Sequence, residues 1–471
     1  MIIYCKYTIK RKYCLLKVVG FVDKLRYDAL LLLVKLLNIV LMTIPFAYCW
    51  DTYYAENLAL RESHTESVII TLLFLFAYFA FGKVYDAFLI SFSRISEMVY
   101  SQVLALVMAN GILYVIVTLL MLKLPDVVPM LVAFAAQCVI SVTWCWLAHI
   151  AYYALVKPQD TAIIYDEREG MDKLIKSYGM TKKFNVRFSF QVDECLNNLD
   201  LLKKMRMVFL SGIHSHERNI ILKYCIANDI QVFMVPRIGD VLMSGSMQMH
   251  MFHLPMLMVR RYRPSPLYVM AKRVFDIVSS GIVLLLVSPI MLITAVAIKF
   301  TDGGPVFYTQ TRLTKNGKTF EVLKFRSMRV DAEKDGVARL STGANDSRIT
   351  PVGQFIRKVR IDELPQLLNI IGGSMSVVGP RPERPEIAEQ YCQTMPEFAL
   401  RLQAKAGLTG YAQVYGKYNT TPYDKLQMDL MYISKPSFIA DLKIIFATIK
   451  ILFVPESTEG VAVGQETAMG K

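Results

Sequence analysis

The chain has 471 residues, of which 54% are hydrophobic and only 20% charged, with a formal net charge of +14. A mean hydropathy of +0.37 and a charged fraction below the roughly 25% of ordinary globular domains argue against a wholly soluble protein and predict membrane segments. The basic balance suits an anionic lipid surface or anionic phosphates; the chain carries no RNA- or DNA-binding motif, so nucleic acid is not an expected partner.

Four apolar stretches, 29–50, 67–88, 101–122 and 127–156, reach the roughly 20 residues that a bilayer crossing needs. Lys35, Asn38 and Lys83 interrupt them and are expected to face neighbouring helices or to snorkel. Lys6, Lys10, Arg11, Lys12, Lys17, Lys24 and Arg26 precede the first span. The loop 51–66 holds Arg61 against Asp51, Glu56, Glu62 and Glu66. This bias places the N-terminus in the cytoplasm, and four crossings return the chain there near Lys157-Pro158. Nothing here has the paired broken helices of a transporter, so an anchoring bundle, with a homodimer as a plausible state, is the expected role. The start is basic, yet no short apolar core leads to a small-residue cleavage site, so no cleavable signal peptide is expected.

Residues 160–265 read as an α/β unit. Strands are predicted at 161–165, 207–211 and 230–236, with a helix over 214–228; alternation of this kind predicts a parallel sheet. A dinucleotide fold wants Gly-x-Gly-x-x-Gly after its first strand. Here the turn is Asp166-Glu167-Arg168-Glu169-Gly170, with acids where phosphates would lie, so the module is expected to lack a cofactor. The eight cysteines form no C-x-x-C pair, and the six histidines give no zinc spacing; reduced, buried thiols are expected.

A fifth apolar run extends from Ile277 to Ile298, preceded by Lys272-Arg273-Val274-Phe275-Asp276 and closed by Lys299. Its length is that of a span. Ser288-Pro289 sits at its centre, where proline removes a backbone hydrogen bond, and a fifth crossing would put 300–471 outside, away from nucleotide-activated substrates. A re-entrant helical hairpin meets both points, with Ser288 satisfying backbone groups that Pro289 frees.

Residues 300–471 hold the candidate chemistry. Asp302 to Tyr308 reads as a turn into a strand, and Lys315-Asn316-Gly317-Lys318 as a hairpin turn. Lys324, Arg326 and Arg329 cluster at a strand end and would either line an anion pocket or be solvated. A helix with a basic face is predicted from Asp346 to Arg360. Asp362-Glu363-Leu364-Pro365-Gln366 follows. Alone, it reads first as a helix start, with Asp at the cap, Glu in the first turn and proline tolerated there. The same geometry offers two carboxylates diverging by about 100°: one to attack phosphorus, the other to hold Mg²⁺, which often takes one or two protein carboxylates plus substrate phosphates. Gly379-Pro380-Arg381-Pro382 is a stiff turn presenting a forked cation suited to phosphate, or else a plain structural turn. Lys405 to Val414 reads as a Gly-bearing loop into a strand, and Asp441 to Phe453 as an interfacial helix with Lys443 and Lys450 on one face.

Taken in order, these motifs resemble the bacterial sugar transferases, the monotopic polyprenyl-phosphate sugar-1-phosphate transferases. The resemblance rests on Lys272-Arg273-x-Phe275-Asp276, Ser288-Pro289, Gly304-Pro305-Val306-Phe307-Tyr308, Lys324-Phe325-Arg326-Ser327-Met328, Asp362-Glu363-Leu364-Pro365-Gln366, Gly379-Pro380-Arg381-Pro382-Glu383 and Gly407-Leu408-Thr409-Gly410. The upstream spans and α/β module look like those of the family's large members.

The resemblance implies a multi-pass protein of the bacterial cytoplasmic membrane. Its expected parts are a transmembrane bundle (1–158), a Rossmann-like module (159–265) and a monotopic α+β catalytic domain with a re-entrant helix (266–471), on the cytoplasmic face. It implies Asp362 as nucleophile on a UDP-sugar, Glu363 beside Mg²⁺, and Arg381, Lys324 and Arg326 on substrate phosphates. Pro380 and Pro382 would shape the turn, and polyprenyl (undecaprenyl) phosphate would be the acceptor. Thr309, Thr314, Ala406 and Tyr415 depart from the family pattern and bear on sugar choice. Two other readings stay open: a catalytically silent scaffold of polysaccharide assembly, which loss of the dyad or Arg381 would favour, and a glycosyltransferase that moves the sugar without its phosphate.

Overall fold

The computed structural model describes residues 29, 31–55, 65–91, 93–262, 264–329, 348–416 and 420–452. The basic segment 1–28, most of the 51–66 loop and Asp346 lie outside the described residues. The chain folds as two compact units, Met1–Val235 and Pro236–Lys471.

In the first unit, α1 (Leu31–Tyr54), α2 (Thr65–Val84), α3 (Ile95–Met121) and α4 (Val128–Leu155) are each long and apolar enough to cross a membrane, as expected. Their outer faces expose Leu33, Phe76, Leu119 and Val139, side chains that lipid solvates and water does not. Inside, Phe46 stacks on Phe74 at 4.3 Å, and a chain of polar contacts ties the four helices. Tyr78 OH donates to Asn38 Oδ1 (3.0 Å), Gln137 Nε2 to the Met42 carbonyl (2.8 Å), Asn110 Nδ2 to Gln137 Oε1 (2.8 Å) and Ser141 Oγ to Gln102 Oε1 (2.8 Å). Such bonds contribute about 0.6–2 kcal/mol each in an apolar medium. Asn38 thus faces a neighbouring helix as expected, and the Lys83 ammonium lies 4.8 Å over the Phe79 ring.

The rest of this unit is a four-stranded parallel sheet, ordered β2-β1-β3-β4. In chain order its elements are β1 (Gln159–Tyr165), α5 (Met171–Ser177), β2 (Phe184–Gln191), α6 (Val192–Asn197), β3 (Met207–Ser211), α7 (Ser215–Ala227) and β4 (Gln231–Met234). Three strands and α7 fall where the residues predict. The sequence reading omits β2, and the reason is its place: it is an edge strand with a largely solvated middle, so it lacks the continuous apolar run that marks buried parallel strands. After β1, Asp166 and Glu167 approach His214 at 3.8 and 3.4 Å. Cys195 and Cys225 are buried free thiols.

The second unit begins with α8 (Ile238–Ser244) and a hairpin of β5 (Met247–Met251) and β6 (Leu254–Met258). The sequence places 236–265 with the middle module; in the structure Ile238 and Val241 join a core with Phe398, Leu426 and Leu430.

Next comes α9 (Pro266–Asp302), one helix that runs through Pro289 with no intervening loop, where the sequence reading expects a two-armed hairpin. Proline has no N–H, so the Leu285 carbonyl loses its donor; Ser288 Oγ donates to that carbonyl at 2.8 Å, and the helix continues. Along its inner face, Leu284 and Val287 pack with Val322, Leu367 and Ile370, and Met291, Ala295 and Ile298 with Phe325 and Ile356. Leu285, Leu286, Leu292 and Ile293 are exposed on the outside.

The remaining elements are β7 (Phe307–Leu313), β8 (Thr319–Phe325), α10 (Pro351–Lys358), α11 (Gln366–Gly372), β9 (Ser376–Val378), α12 (Pro385–Thr394), β10 (Gly407–Thr409), α13 (Tyr411–Tyr415), α14 (Pro422–Ser434) and α15 (Phe438–Leu452). The β7–β8 hairpin turns through Asn316 and Gly317 at φ 61° and 72°, the left-handed pair that an Asn-Gly turn supplies. Two expectations shift. The helix predicted from Asp346 begins at Pro351, because Thr350 Oγ1 accepts from the Gly353 amide and caps it there. Only Gly407–Thr409 of the predicted Lys405–Val414 loop and strand is extended, paired parallel to β9, and Tyr411–Tyr415 is helical.

Candidate active site

The Asp362-Glu363 pair sits where α10 stops. Arg360 takes φ 56°, a left-handed residue that ends the helix, and Ile361–Glu363 make one tight 3₁₀ turn. The capping reading does not hold. Pro365 occupies the N-cap of α11 without a side-chain bond, so neither carboxylate satisfies that helix start.

Glu363 is instead the centre of a cation cluster. Its Oε1 lies 3.2 Å from both Lys324 Nζ and Arg381 NH2, and its Oε2 lies 3.9 Å from Arg360 NH1. Burial opposes its ionisation, but Lys324, Arg381 and Arg360 together outweigh that and hold its carboxyl below the usual range. Burial, then the adjacent Glu363 charge, push Asp362 the other way, above the ordinary aspartate value. Two neighbouring acids are thus differentiated: one stays ionised among cations, and the other is the more basic.

Arg381 is presented by a turn pinned on several sides. The Gly379 amide donates to the Thr409 carbonyl and the Gly407 amide to the Pro380 carbonyl, both at 2.9 Å. A Cβ on Gly379 or Gly407 would overlap the other strand's backbone, which explains both glycines. Arg312 NH1 donates to the Pro382 carbonyl at 3.1 Å. Beneath the turn, buried Arg401 donates to the Arg381 carbonyl (3.0 Å), contacts Glu383 (3.4 Å) and pairs with buried Asp429 at 2.7 Å.

The sequence reading missed Arg401, Asp429 and Arg312. Asp429 had a usable signal: a carboxylate within Leu426-Gln427-Met428-Asp429-Leu430-Met431, an apolar helical run where a charge needs a partner.

The Lys-Arg-x-Phe-Asp motif also acquires a role, which is docking α9. Lys272 Nζ and Tyr268 OH each reach Asp441 at 2.9 Å. Arg273 donates to the carbonyls of Ile370 and Ile371 at 2.6 and 2.7 Å, closing the end of α11. Buried Asp276 accepts from Ser376 Oγ and the Val377 amide.

Of the three cations expected to form an anion pocket, Lys324 is at the dyad. Arg326 is buried against Gly304, where a Cβ would overlap its guanidinium. The Arg329 amide donates to the Arg348 carbonyl. Ser288 and Pro289 shape α9 rather than the acidic pair.

No group of three His, Cys, Asp or Glu able to cage a metal occurs among the described residues. Two adjacent hard carboxylates beside the Lys324 and Arg381 cations are a donor set that Mg²⁺ accepts when phosphate oxygens and water complete its shell.

A family model described as bacterial sugar transferase matches residues 267–455. The chain is 37% identical over 234 residues to the UDP-N-acetylgalactosamine-undecaprenyl-phosphate N-acetylgalactosaminephosphotransferase of Aeromonas hydrophila, covering 49% of this chain and 54% of that one. It is 43% identical over 183 residues to the UDP-glucose:undecaprenyl-phosphate glucose-1-phosphate transferase of Escherichia coli (strain K12), covering 38% and 39%. It is 41% identical over 197 residues to the exopolysaccharide production protein ExoY of Rhizobium meliloti (strain 1021), covering 39% of this chain and 86% of that protein. The chain belongs to the bacterial sugar transferase family. The match spans about half or less of the two larger relatives.

Proposed function

We propose that this protein transfers a sugar-1-phosphate from a UDP-sugar to polyprenyl (undecaprenyl) phosphate, the first membrane step in building a polysaccharide. The observation that carries this is the differentiated pair, with Glu363 held at 3.2 Å by both Lys324 and Arg381 while Asp362 is left the more basic acid. Asp362 Oδ attacks the sugar-bearing phosphorus, and the phosphoanhydride bond to the nucleotide breaks. UMP leaves with that electron pair, leaving an acyl phosphate on Asp362. An oxygen of polyprenyl phosphate then attacks the same phosphorus, and Asp362 leaves as carboxylate, giving polyprenyl diphosphate sugar. One phosphoanhydride is exchanged for another, so no further energy source is required. Lys324 and Arg381, which neutralise Glu363 here, are the donors that the diphosphate takes, and the pinned turn keeps Arg381 oriented at low entropic cost. Glu363 would hold Mg²⁺, which supplies charge neutralisation at the transferring phosphate.

The membrane reading is ours as well: the bacterial cytoplasmic membrane, with the second unit on the cytoplasmic face and α9 re-entrant rather than spanning. The support is that both halves of α9, Tyr268 to Asp276 and Met291 to Ile298, are bonded to or packed on the same compact unit. A crossing helix would carry its ends to opposite sides. The strand order β2-β1-β3-β4 supports a Rossmann-like module, and acids in its first turn support a module without a nucleotide.

The test is a membrane assay with undecaprenyl phosphate and a panel including UDP-glucose and UDP-N-acetylgalactosamine, scoring the nucleotide released. UMP is expected. UDP would favour simple sugar transfer, and no release with any donor would favour a scaffold.

A further inference from the structure

Three successive residues at the end of β7 reach the Arg381 turn or its support. Arg312 donates to the Pro382 carbonyl at 3.1 Å, and the Leu313 amide to the Glu383 carbonyl at 2.9 Å. Thr314 is buried, and each of its polar groups is engaged. Its amide donates to the Lys318 carbonyl (2.8 Å) and its carbonyl accepts from the Gly317 amide (3.1 Å), which closes the β7–β8 hairpin. Its Oγ1 donates to the Ser374 carbonyl (3.0 Å) and accepts from the amide of buried Ala406 (3.1 Å). One hydroxyl thus joins three segments distant in the chain: the hairpin, the loop after α11 and the approach to β10.

Ala406 sits directly behind the turn. Its carbonyl accepts from the Ser376 amide at 2.8 Å, and the next amide, Gly407, is the one that donates to the Pro380 carbonyl at 2.9 Å. The space there is full. A Cβ on Gly379 would overlap the Lys405 carbonyl, and one on Gly407 would overlap the Gly379 amide. Peptide units are planar and close-packed backbone leaves no slack, so a rotation at Ala406 moves the Gly407 amide and, with it, the Pro380 carbonyl beside Arg381. Thr314 and Ala406 are both departures from the family pattern, and in the structure their polar atoms meet each other.

We infer that Thr314 is a positioning residue for Arg381: its hydroxyl fixes Ala406, and through the Gly407–Pro380 bond it holds the turn that presents the guanidinium. The role of Arg381 on the donor diphosphate rests on the transferase reading; the mechanical link from Thr314 to the turn does not.

The test compares full-length wild type with Thr314→Val, which keeps the shape and removes the hydroxyl, and Thr314→Ser, which keeps the hydroxyl. Amide hydrogen exchange is followed by mass spectrometry below the melting transition of each. Thr314→Val should exchange about tenfold faster in peptides covering 379–384 and 404–410, as loss of a buried bond allows, with α14 and the β5–β6 hairpin unchanged. Thr314→Ser should match wild type. In the transfer assay, KM for the UDP-sugar should rise about tenfold in Thr314→Val while kcat changes by about twofold or less; a variant that merely unfolds loses apparent kcat instead. In an Arg381→Lys background the same substitution should add about twofold or less, because both act on one side chain. Unchanged exchange in 404–410, exchange raised equally throughout the second unit, or an equal KM increase in both backgrounds overturns the inference. A wild type that releases no nucleotide from any donor overturns the transferase reading, and the exchange comparison then decides the role of Thr314 by itself.

Discussion

Replacing Asp429 with Asn should reveal how firmly the Arg381 turn depends on what lies beneath it. Asp429 and Arg401 are both buried and 2.7 Å apart. Breaking a buried pair by removing one charge costs about 3–5 kcal/mol, because the other is left uncompensated. Here Glu383 remains 3.4 Å from Arg401, so the lower end applies, about 3 kcal/mol. For a unit of this size that is about 6–12 °C in midpoint, at about 2–4 °C per kcal/mol.

All three tryptophans lie in the first unit, while Cys392 is the single cysteine of the second. Alkylation of Cys392 along a temperature ramp, read by mass spectrometry of its peptide, therefore reports this unit selectively. Because Arg401 also donates to the Arg381 carbonyl, kcat/KM for the UDP-sugar should fall at temperatures where the variant is still folded. Asp429→Asn combined with Glu383→Gln should be non-additive, since both act on one guanidinium. A midpoint within 2 °C of wild type, or additive losses, would refute the argument.

Asp362→Asn should abolish transfer while membrane insertion and the melting of the second unit are kept; retained activity ends the nucleophile assignment. Glu363→Gln should lower both turnover and sensitivity to Mg²⁺, and an unchanged metal titration would count against its ligand role. Gly353→Ala should destabilise the second unit, because its Cβ would overlap the Ser327 carbonyl that Thr350 also uses; a neutral effect on Cys392 alkylation contradicts this. Tags placed before residue 272 and after residue 300 should both be labelled from the cytoplasm, and opposite sidedness removes the re-entrant reading of α9.

Much of this architecture was legible because its signals are local. The four long apolar helices α1–α4, three strands and the Asn316-Gly317 hairpin follow from apolar length, period and turn chemistry. β2 was not, since an edge strand with a solvated middle carries no continuous apolar run. The answer of Ser288 to Pro289 is legible too, because it is fixed within one helical turn. That the dyad does not cap its helix is not legible in the sequence: nothing local announces that Arg360 turns left-handed and that the helix starts at Gln366. Lys324, Arg381 and Glu363 come from separate segments and could be joined only through the resemblance. Arg401 and Asp429 reach the site from behind, through packing that no motif spacing encodes.

The central claim is a phosphoryl-sugar carried on Asp362. Incubating the protein with a UDP-sugar labelled in its sugar-proximal phosphate, without lipid acceptor, tests it most directly. One label per active site is expected on the peptide containing Asp362, with an equal amount of UMP released, and polyprenyl phosphate should then discharge it. Release of UDP, or no UMP until the acceptor is added, would contradict it.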